Sequence, residues 1–188
     1  MKLFIGCSSS SDIDKKYLED CQEYLDELLR DNDLVFGADN RGLMGLAYQV
    51  ALKHNKTIIG VCPEIYKSDF DNLECSEEIT TKSVAERTEK AIESSDAVIF
   101  LPGGIGTIYE FFSALESKRS HEFDKPIVLY NSCGYFNQMI SMLDKVYDEN
   151  FTARNVESNY HVSDSALDTL NYINRDQQKE KGKVYEKR

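Results

Sequence analysis

Short apolar runs alternate along the chain with longer segments in which apolar residues recur every three or four positions. The runs are typical of buried strands, and the longer spacing is typical of amphipathic helices. Strands are predicted at Lys2–Gly6, Leu34–Gly37, Thr57–Cys62, Asp96–Phe100 and Pro126–Tyr130, with shorter ones at Glu78–Lys82 and Tyr160–Val162. Helices are predicted at 13–29, 42–54, 84–94, 107–121, 136–146 and 166–173. This alternation predicts a doubly wound parallel α/β sheet with helices on both faces.

The chain is long enough, at 188 residues, to bury one sizeable core. No stretch rich in Pro, Gly and Ser interrupts the alternation, so we expect a single domain over residues 1–174. The final stretch, 175–188, is almost wholly polar, and we expect it to form a flexible C-terminal tail.

The segment Leu101–Glu110 reads LPGGIGTIYE and connects a predicted buried strand to a predicted helix that begins at Thr107. Glycines let the backbone approach a ligand closely, and the N–H groups of a first helical turn attract anions. The segment therefore predicts a phosphate-binding loop made by Gly103, Gly104, Gly106 and Thr107. Glu110 lies about one turn into the helix, where its carboxylate would reach the edge of that site.

Glu110 also has a purely structural interpretation. The sequence Thr107-Ile108-Tyr109-Glu110 matches the capping box T-x-x-E, in which the carboxylate accepts a hydrogen bond from the backbone at the start of the helix. One carboxylate cannot fully serve as both a cap and a site residue. The direction of the Glu110 side chain therefore distinguishes the two.

Polar or glycine-bearing turns follow two other predicted strands. Because the carboxyl ends of parallel strands meet at the edge where ligands bind, Ser8 and Ser9 are candidate contacts to a phosphate or ribose. Serine, and Asp12 beside them, are also ordinary helix N-caps. Gly42 and Gly45 either bring a second helix N-terminus to the crevice or only permit tight helix–sheet packing.

Arg87 and Lys90 lie three residues apart on the predicted helix that precedes the glycine segment. Basic side chains here are candidate ligands for an anion. They could equally pair with the glutamates of their own helix, Glu86, Glu89 and Glu93, on a solvated face.

The formal net charge of −11 argues against binding to nucleic acid or to an anionic membrane surface. No apolar run approaches the length of a membrane span, and the chain enters a strand directly at Met1, so we expect a cytoplasmic protein. The five cysteines are odd in number and have no zinc-ligand spacing, which indicates reduced thiols. The three histidines are far apart, and no metal or cofactor is expected.

Several segments together resemble the Lonely guy (LOG) family of Rossmann-like proteins, whose signature is PGGxGTxxE. The signature is matched by Pro102–Glu110, and Gly42–Gly45 resembles the family's GLMG turn. Lys125–Asn131 and Gly134–Phe136 are similar to its KPVxLxNxxGYY segment, and Gly6–Ser9 is similar to its first loop. The similarity covers the chain from about Leu3 to the last predicted helix.

The resemblance implies a phosphoribohydrolase that cuts the N-glycosidic bond of a purine nucleoside 5′-monophosphate, of adenine or cytokinin type, to free base and ribose 5-phosphate. It assigns the catalytic carboxylate to Glu110. Arg87 matches the arginine of the family's MHxRK motif and would hold the substrate and Glu110. Gly42 and Met44 would contact the substrate, and a homodimer is implied.

An alternative from another class is a protein that binds a nucleotide or phosphorylated cofactor without turnover, as the related molybdenum-cofactor carriers suggest for this fold. Ala85 and Thr88 stand where the family has the motif's histidine and lysine, which favours this alternative. Retention of Arg87 and Glu110 favours the enzyme. Chains of this type have also been labelled lysine decarboxylases, but no Ser-x-His-Lys site for the cofactor of such an enzyme is visible.

Overall fold

The computed structural model describes residues 1–152 and 159–175. Within them lie, in chain order, β1 (Lys2–Gly6), α1 (Lys15–Leu28), β2 (Asp33–Phe36), α2 (Gly42–Lys53), β3 (Ile58–Pro63), β4 (Glu77–Thr81), α3 (Val84–Glu93), β5 (Ala97–Phe100), α4 (Ile105–Arg119), β6 (Ile127–Tyr130), α5 (Asn137–Asp148), β7 (His161–Ser163) and the helical residues 166–175, here α6. Short 3-10 segments occupy Glu64–Asn72 and Ser132–Gly134. All but Arg175 of the predicted tail falls outside the described residues.

Seven strands form one sheet in the order β4-β3-β2-β1-β5-β6-β7, and every neighbouring pair is parallel. The inner strands are buried on both faces, which is why their sequences are nearly continuous apolar runs. The strand order reverses direction between β1 and β5. The prediction of a doubly wound parallel sheet is confirmed.

Each face of the sheet packs against three helices. On one face, side chains of α1, α2 and α6 join Leu3 and Ile5 of β1 in a single core cluster. On the other, side chains of α3, α4 and α5 pack with Phe4 of β1 and Phe100 of β5. Alternate residues of β1 therefore serve opposite cores, as the pleat of a strand requires.

Two helix starts differ from the sequence prediction. Helix α1 begins at Lys15, and its N-cap is Asp14, whose carboxylate accepts a 3.0 Å hydrogen bond from the N–H of Lys16. The residues Ser8, Ser9 and Asp12 therefore do not cap it. Helix α4 begins at Ile105 rather than Thr107, with Gly104 as its N-cap. The apolar pattern missed the first two helical residues because Ile105 is exposed and faces away from the core.

No helix within residues 1–152 and 159–175 is both long enough and apolar enough to cross a membrane.

Candidate active site

A cavity of about 510 Å³ lies at the carboxyl ends of β1, β2, β3 and β5. It spans the point where the strand order reverses, which is the position at which open α/β sheets bind their ligands. The cavity is lined by Cys7, Ser8, Ser9, Ser10, Gly37, Asp39, Arg41, Met44, Cys62, Pro63, Tyr66, Val84, Arg87, Gly104, Gly106, Thr107 and Glu110.

The start of helix α4 forms one wall of this cavity. Its N-cap, Gly104, is extended, and no side chain among the described residues caps the helix. The first N–H groups of an α-helix have no partner within the helix and attract anions. A Cβ added at Gly104 or Gly106 would meet no atom within 4 Å, so both backbones border open space. This turn can accept an anionic group.

Glu110 projects into the same cavity from the second turn of α4. Its residue is only 3% exposed, and its carboxylate forms an ion pair with Arg87 of α3. Because α4 begins at Ile105, Thr107 is inside the helix and is not its N-cap. The capping-box interpretation of Glu110 is therefore wrong.

Burial and the charge of Arg87 together place the pKa of Glu110 near neutral pH. Burial raises the pKa of Glu110 to about 7, and the positive charge of Arg87 opposes that rise. A carboxylate with such a pKa exchanges a proton near neutral pH, as general acids and bases do. The alternative in which Arg87 pairs only with glutamates of its own helix is wrong, although Lys90 does pair in this way, with Glu93 at 2.6 Å.

Two glycines at strand ends make room for the pair. A Cβ at Gly6, the last residue of β1, would lie 2.6 Å from the ring of Phe100 and 2.9 Å from Oε2 of Glu110. A Cβ at Gly37, just after β2, would overlap Nη1 of Arg87. The positions of both charged side chains therefore depend on glycine at the ends of the neighbouring strands β1 and β2.

The backbone of Ser8 connects two loops of the site and the start of helix α2. Its N–H donates to the carbonyl of Pro102 at 3.1 Å, and its carbonyl accepts from the N–H of Met44 at 3.0 Å. The first bond joins the β1–α1 loop to the glycine segment before α4. The second joins it to the start of α2. Ser8 thus holds the two helix N-termini in a fixed relation.

Asp39 and Arg41 line the cavity and were not among the predicted site residues. The Asp39 carboxylate accepts hydrogen bonds from the backbone N–H of Arg41 at 2.9 Å and from its guanidinium at 3.0 and 2.6 Å. Burial alone would raise the pKa of Asp39, but the bonds from Arg41 and Ser9 outweigh it and hold that pKa below its usual value. A signal was available, because both residues precede the GLMG turn at the end of a predicted strand.

The predicted site residues do not all face the cavity. Ser8, Ser9, Met44, Arg87, Gly104, Gly106, Thr107 and Glu110 line it. Gly103 and Gly42 are not among the lining residues. A Cβ at Gly103 would overlap the side chain of Thr107, and Gly42, with φ +57°, packs against the carbonyls of Ser8 and Ser10.

Gly45 serves close packing at the second glycine turn, while Arg41 and Met44 bring the start of α2 to the cavity. A Cβ at Gly45 would overlap the backbone of Asn40.

Ala85 and Thr88, which differ from the family motif, line a separate groove between α3 and α4 with a volume of about 260 Å³. Neither lines the larger cavity.

The topology and the position of the cavity define a Rossmann-like α/β protein, and solved structures agree. The molybdenum cofactor carrier protein from Chlamydomonas reinhardtii superposes with a TM-score of 0.69, 19% sequence identity and coverage of 95% of this chain and 98% of that one. The molybdenum cofactor binding protein from Rippkaea orientalis superposes with a TM-score of 0.66 and 21% identity, over 93% and 95% of the two chains. At these identities the likeness shows the fold.

The sequence comparisons identify the family. The family described as "Possible lysine decarboxylase" matches residues 44–173. The Arabidopsis thaliana protein named cytokinin riboside 5′-monophosphate phosphoribohydrolase LOG4 is 31% identical over 82% of this chain and 73% of its own length. The rice protein (Oryza sativa subsp. japonica) named probable cytokinin riboside 5′-monophosphate phosphoribohydrolase LOGL6 is 34% identical over 80% of this chain, which spans 61% of that relative's length. The chain belongs to the LOG family.

Proposed function

We propose that the protein hydrolyses the N-glycosidic bond of a purine nucleoside 5′-monophosphate to the free base and ribose 5-phosphate. The observation that carries this proposal is the buried Glu110 carboxylate, which shares a cavity with an uncapped helix N-terminus and is paired with Arg87. The names of the Arabidopsis and rice relatives support the same reaction.

In this proposal the phosphate binds at the start of α4, where N–H groups compensate its charge in a chain that carries a net charge of −11. Thr107 adds a hydroxyl beside these groups, and Gly103 makes room for the Thr107 side chain. Ser8, Ser9 and Met44 line the cavity beyond this turn, on the side of β1 and α2, where the ribose and base would lie.

Glu110 would act on the sugar. As the bond from C1′ to the base nitrogen breaks, positive charge develops on the ribose, and a nearby carboxylate stabilises it. Water then adds to C1′, and one of its protons passes to Glu110. The base nitrogen takes up one proton from solvent as it leaves, and Glu110 returns its proton to solvent, which restores the ionised carboxylate. This role requires the ionised form of Glu110, so its pKa of about 7 limits the reaction at acidic pH.

Arg87 would have two roles in the same step. Its guanidinium holds the Glu110 carboxylate through the ion pair, and its side chain is only 13% exposed, so this contact is weakly screened by solvent. It also lines the cavity and can bind an oxygen of the substrate. All of these groups belong to the chain, so the proposal requires no metal or cofactor.

Incubation with AMP and with prenylated AMP, followed by chromatography of the free base and of ribose 5-phosphate, tests the reaction. We expect both products in equal amounts. In Glu110→Gln the amide oxygen can still accept a bond from Arg87, while the charge and the basic site are lost. We expect a rate about a hundredfold lower or more, whereas the loss of a helix cap would cost only about 1 kcal/mol of stability.

The second candidate is a protein that binds a nucleotide or phosphorylated cofactor without turnover. The absence of the motif histidine and lysine favours it, since Ala85 and Thr88 stand at those positions. Ala85 and Thr88 themselves line the groove between α3 and α4 rather than the cavity. Calorimetric binding of AMP, with all of the AMP recovered after long incubation, would decide for this candidate.

The proposal includes a homodimer. Helix α4 carries an exposed apolar stripe, Ile105, Tyr109 and Phe112, whose side chains recur at the spacing of one helix face. Exposed patches of this kind are typical of interaction surfaces. Light scattering of the full chain measures the oligomeric state.

The proposal also places the protein in a reducing compartment such as the cytoplasm, which fits the five free thiols. Fluorescence microscopy of a tagged protein tests this localisation.

A further inference from the structure

Tyr135 lies outside the cavity but contacts the segment that leads into helix α4. Its hydroxyl donates a 2.7 Å hydrogen bond to the carbonyl of Gly103. Gly103 and the N-cap Gly104 share one peptide unit. This is the one direct side-chain hydrogen bond from the β6–α5 connection to that loop among the residues the structure describes.

The turn that carries Tyr135 is held firmly to the sheet. Asn131, which follows β6, donates its N–H to the carbonyl of Ser163 in the segment of β7 at 2.9 Å. The Asn131 side chain accepts from the N–H of Phe136 at 2.8 Å and donates to Asn137 at 2.8 Å. Gly134, with φ +72°, turns the chain directly before Tyr135. The phenol is therefore placed by β6 and β7.

The ring of Tyr135 is fixed by its aromatic neighbours. It packs edge to face against Tyr17 of α1, with ring centres 5.5 Å apart, and against Phe136 at 4.9 Å. Such contacts limit the positions that the hydroxyl can reach. Removal of the hydroxyl alone would leave these ring contacts in place.

The hydrogen bond to the Gly103 carbonyl also affects the Gly104 N–H, which belongs to the same peptide unit. A trans peptide unit is planar, so its C=O and N–H point in opposite directions. When Tyr135 holds the Gly103 carbonyl, it also sets the direction of the Gly104 N–H. Within the described residues this N–H has no hydrogen-bond partner, and Gly104 lines the cavity.

We infer that Tyr135 is a positioning residue for phosphate: by holding the Gly103 carbonyl, it orients the Gly104 N–H toward the anion at the start of α4. This rests on the proposed function in one respect, that the phosphate binds at this helix start. Tyr135 itself does not touch the substrate. Its effect therefore falls on the phosphate group and not on the sugar or the base.

The test is calorimetric titration of the full chain with AMP and, separately, with adenosine, which lacks the phosphate. Every protein titrated also carries Glu110→Gln, so that AMP is not consumed during the titration. Tyr135→Phe keeps the ring and removes the hydroxyl. We expect AMP to bind about three- to tenfold more weakly, in line with the loss of one hydrogen bond, and adenosine to bind as in the wild type. In steady-state assays KM for AMP should rise by a similar factor with kcat unchanged.

Tyr130→Phe is the matched control. It removes a tyrosine hydroxyl that donates to Asp20 at 2.8 Å, and Tyr130 does not line the cavity. We expect this variant to bind AMP as the wild type does. Equal AMP affinity of Tyr135→Phe and wild type overturns the inference, and so does an equal weakening of AMP and adenosine. A wild type that binds AMP without releasing adenine contradicts the proposed hydrolysis but leaves this comparison of affinities intact.

Discussion

Replacing Gly37 with alanine disturbs the Arg87–Glu110 pair without changing either charged residue. Gly37 does not have a positive φ, so alanine suits its backbone. The added Cβ would overlap Nη1 of Arg87 and lie 3.2 Å from Cε of Met44. Both are the ends of flexible side chains. We therefore expect the protein to fold and the guanidinium to move away from Glu110.

The expected effect is a further rise in the pKa of Glu110, because the positive charge that opposes the effect of burial becomes more distant. Opposite unit charges about 4 Å apart interact by about 4 kcal/mol at an effective dielectric constant of about 20. A loss of about a third of that energy raises the pKa by about 1. At pH 7 the ionised fraction of Glu110 would then fall from about half to about a tenth, and kcat/KM would fall about fivefold with it.

The assay is kcat/KM for AMP between about pH 5.5 and 9, which reports the pKa values of the free enzyme. For the wild type we expect activity to rise with pH through about 7, because the proposed mechanism requires ionised Glu110 and burial raises its pKa to about 7. For Gly37→Ala the rise should lie about one pH unit higher. A rise at the same pH in both proteins would refute the reasoning, whatever the loss of activity at high pH.

A double-mutant cycle separates this mechanism from a general disturbance of the site. Lysine lacks the Nη1 atom that the new Cβ would overlap. In an Arg87→Lys background, Gly37→Ala should therefore shift the pH profile less than it does in the wild type. If the two substitutions act independently, the overlap with the guanidinium is not the cause.

Two further predictions concern packing and assembly. Gly45→Ala should destabilise the fold by about 1–3 kcal/mol, because its Cβ would overlap the backbone of Asn40. Urea unfolding measures this loss of stability, and an unchanged unfolding midpoint would contradict the prediction. Tyr109→Glu introduces a charge into the exposed stripe of α4, and light scattering should then show a monomer instead of the proposed dimer. A dimer that persists at the same protein concentration would show that this stripe is not the dimer interface.

The order of elements could be predicted from the sequence because inner parallel strands are buried on both faces and read as apolar runs. The strands β5 and β6 show this directly, since all of their residues are buried. The start of α4 could not be predicted in the same way. Its first residue, Ile105, is apolar but 83% exposed, so the helical pattern begins two residues too late.

The error in that helix start also explains the false capping box. With Thr107 placed first in the helix, Glu110 falls at the spacing of a cap, although its carboxylate is paired with Arg87 of a different helix. Such a pair, 23 positions apart in sequence, has no periodic signal. Spacing within a helix made both residues candidates for the anion site but could not pair them, and only the family resemblance implied the pair.

A single sequence could not show that Gly6 and Gly37 make room for the Arg87–Glu110 pair. Gly6 and Gly37 end or follow strands, where glycine is common in turns. Their role depends on atoms from distant elements, namely Glu110 of α4 and Arg87 of α3. Asp39 follows a predicted strand end, which was a usable signal, but its bonds to Arg41 and its place in the cavity come from the folded structure.

The most direct test of the proposed function is the comparison of wild type and Glu110→Gln in AMP hydrolysis at a pH above 7, with free adenine and ribose 5-phosphate both measured. We predict equimolar products from the wild type and a rate about a hundredfold lower or more in the variant, with AMP affinity and melting temperature close to those of the wild type. A Glu110→Gln protein that releases adenine as fast as the wild type would contradict the catalytic role of this carboxylate.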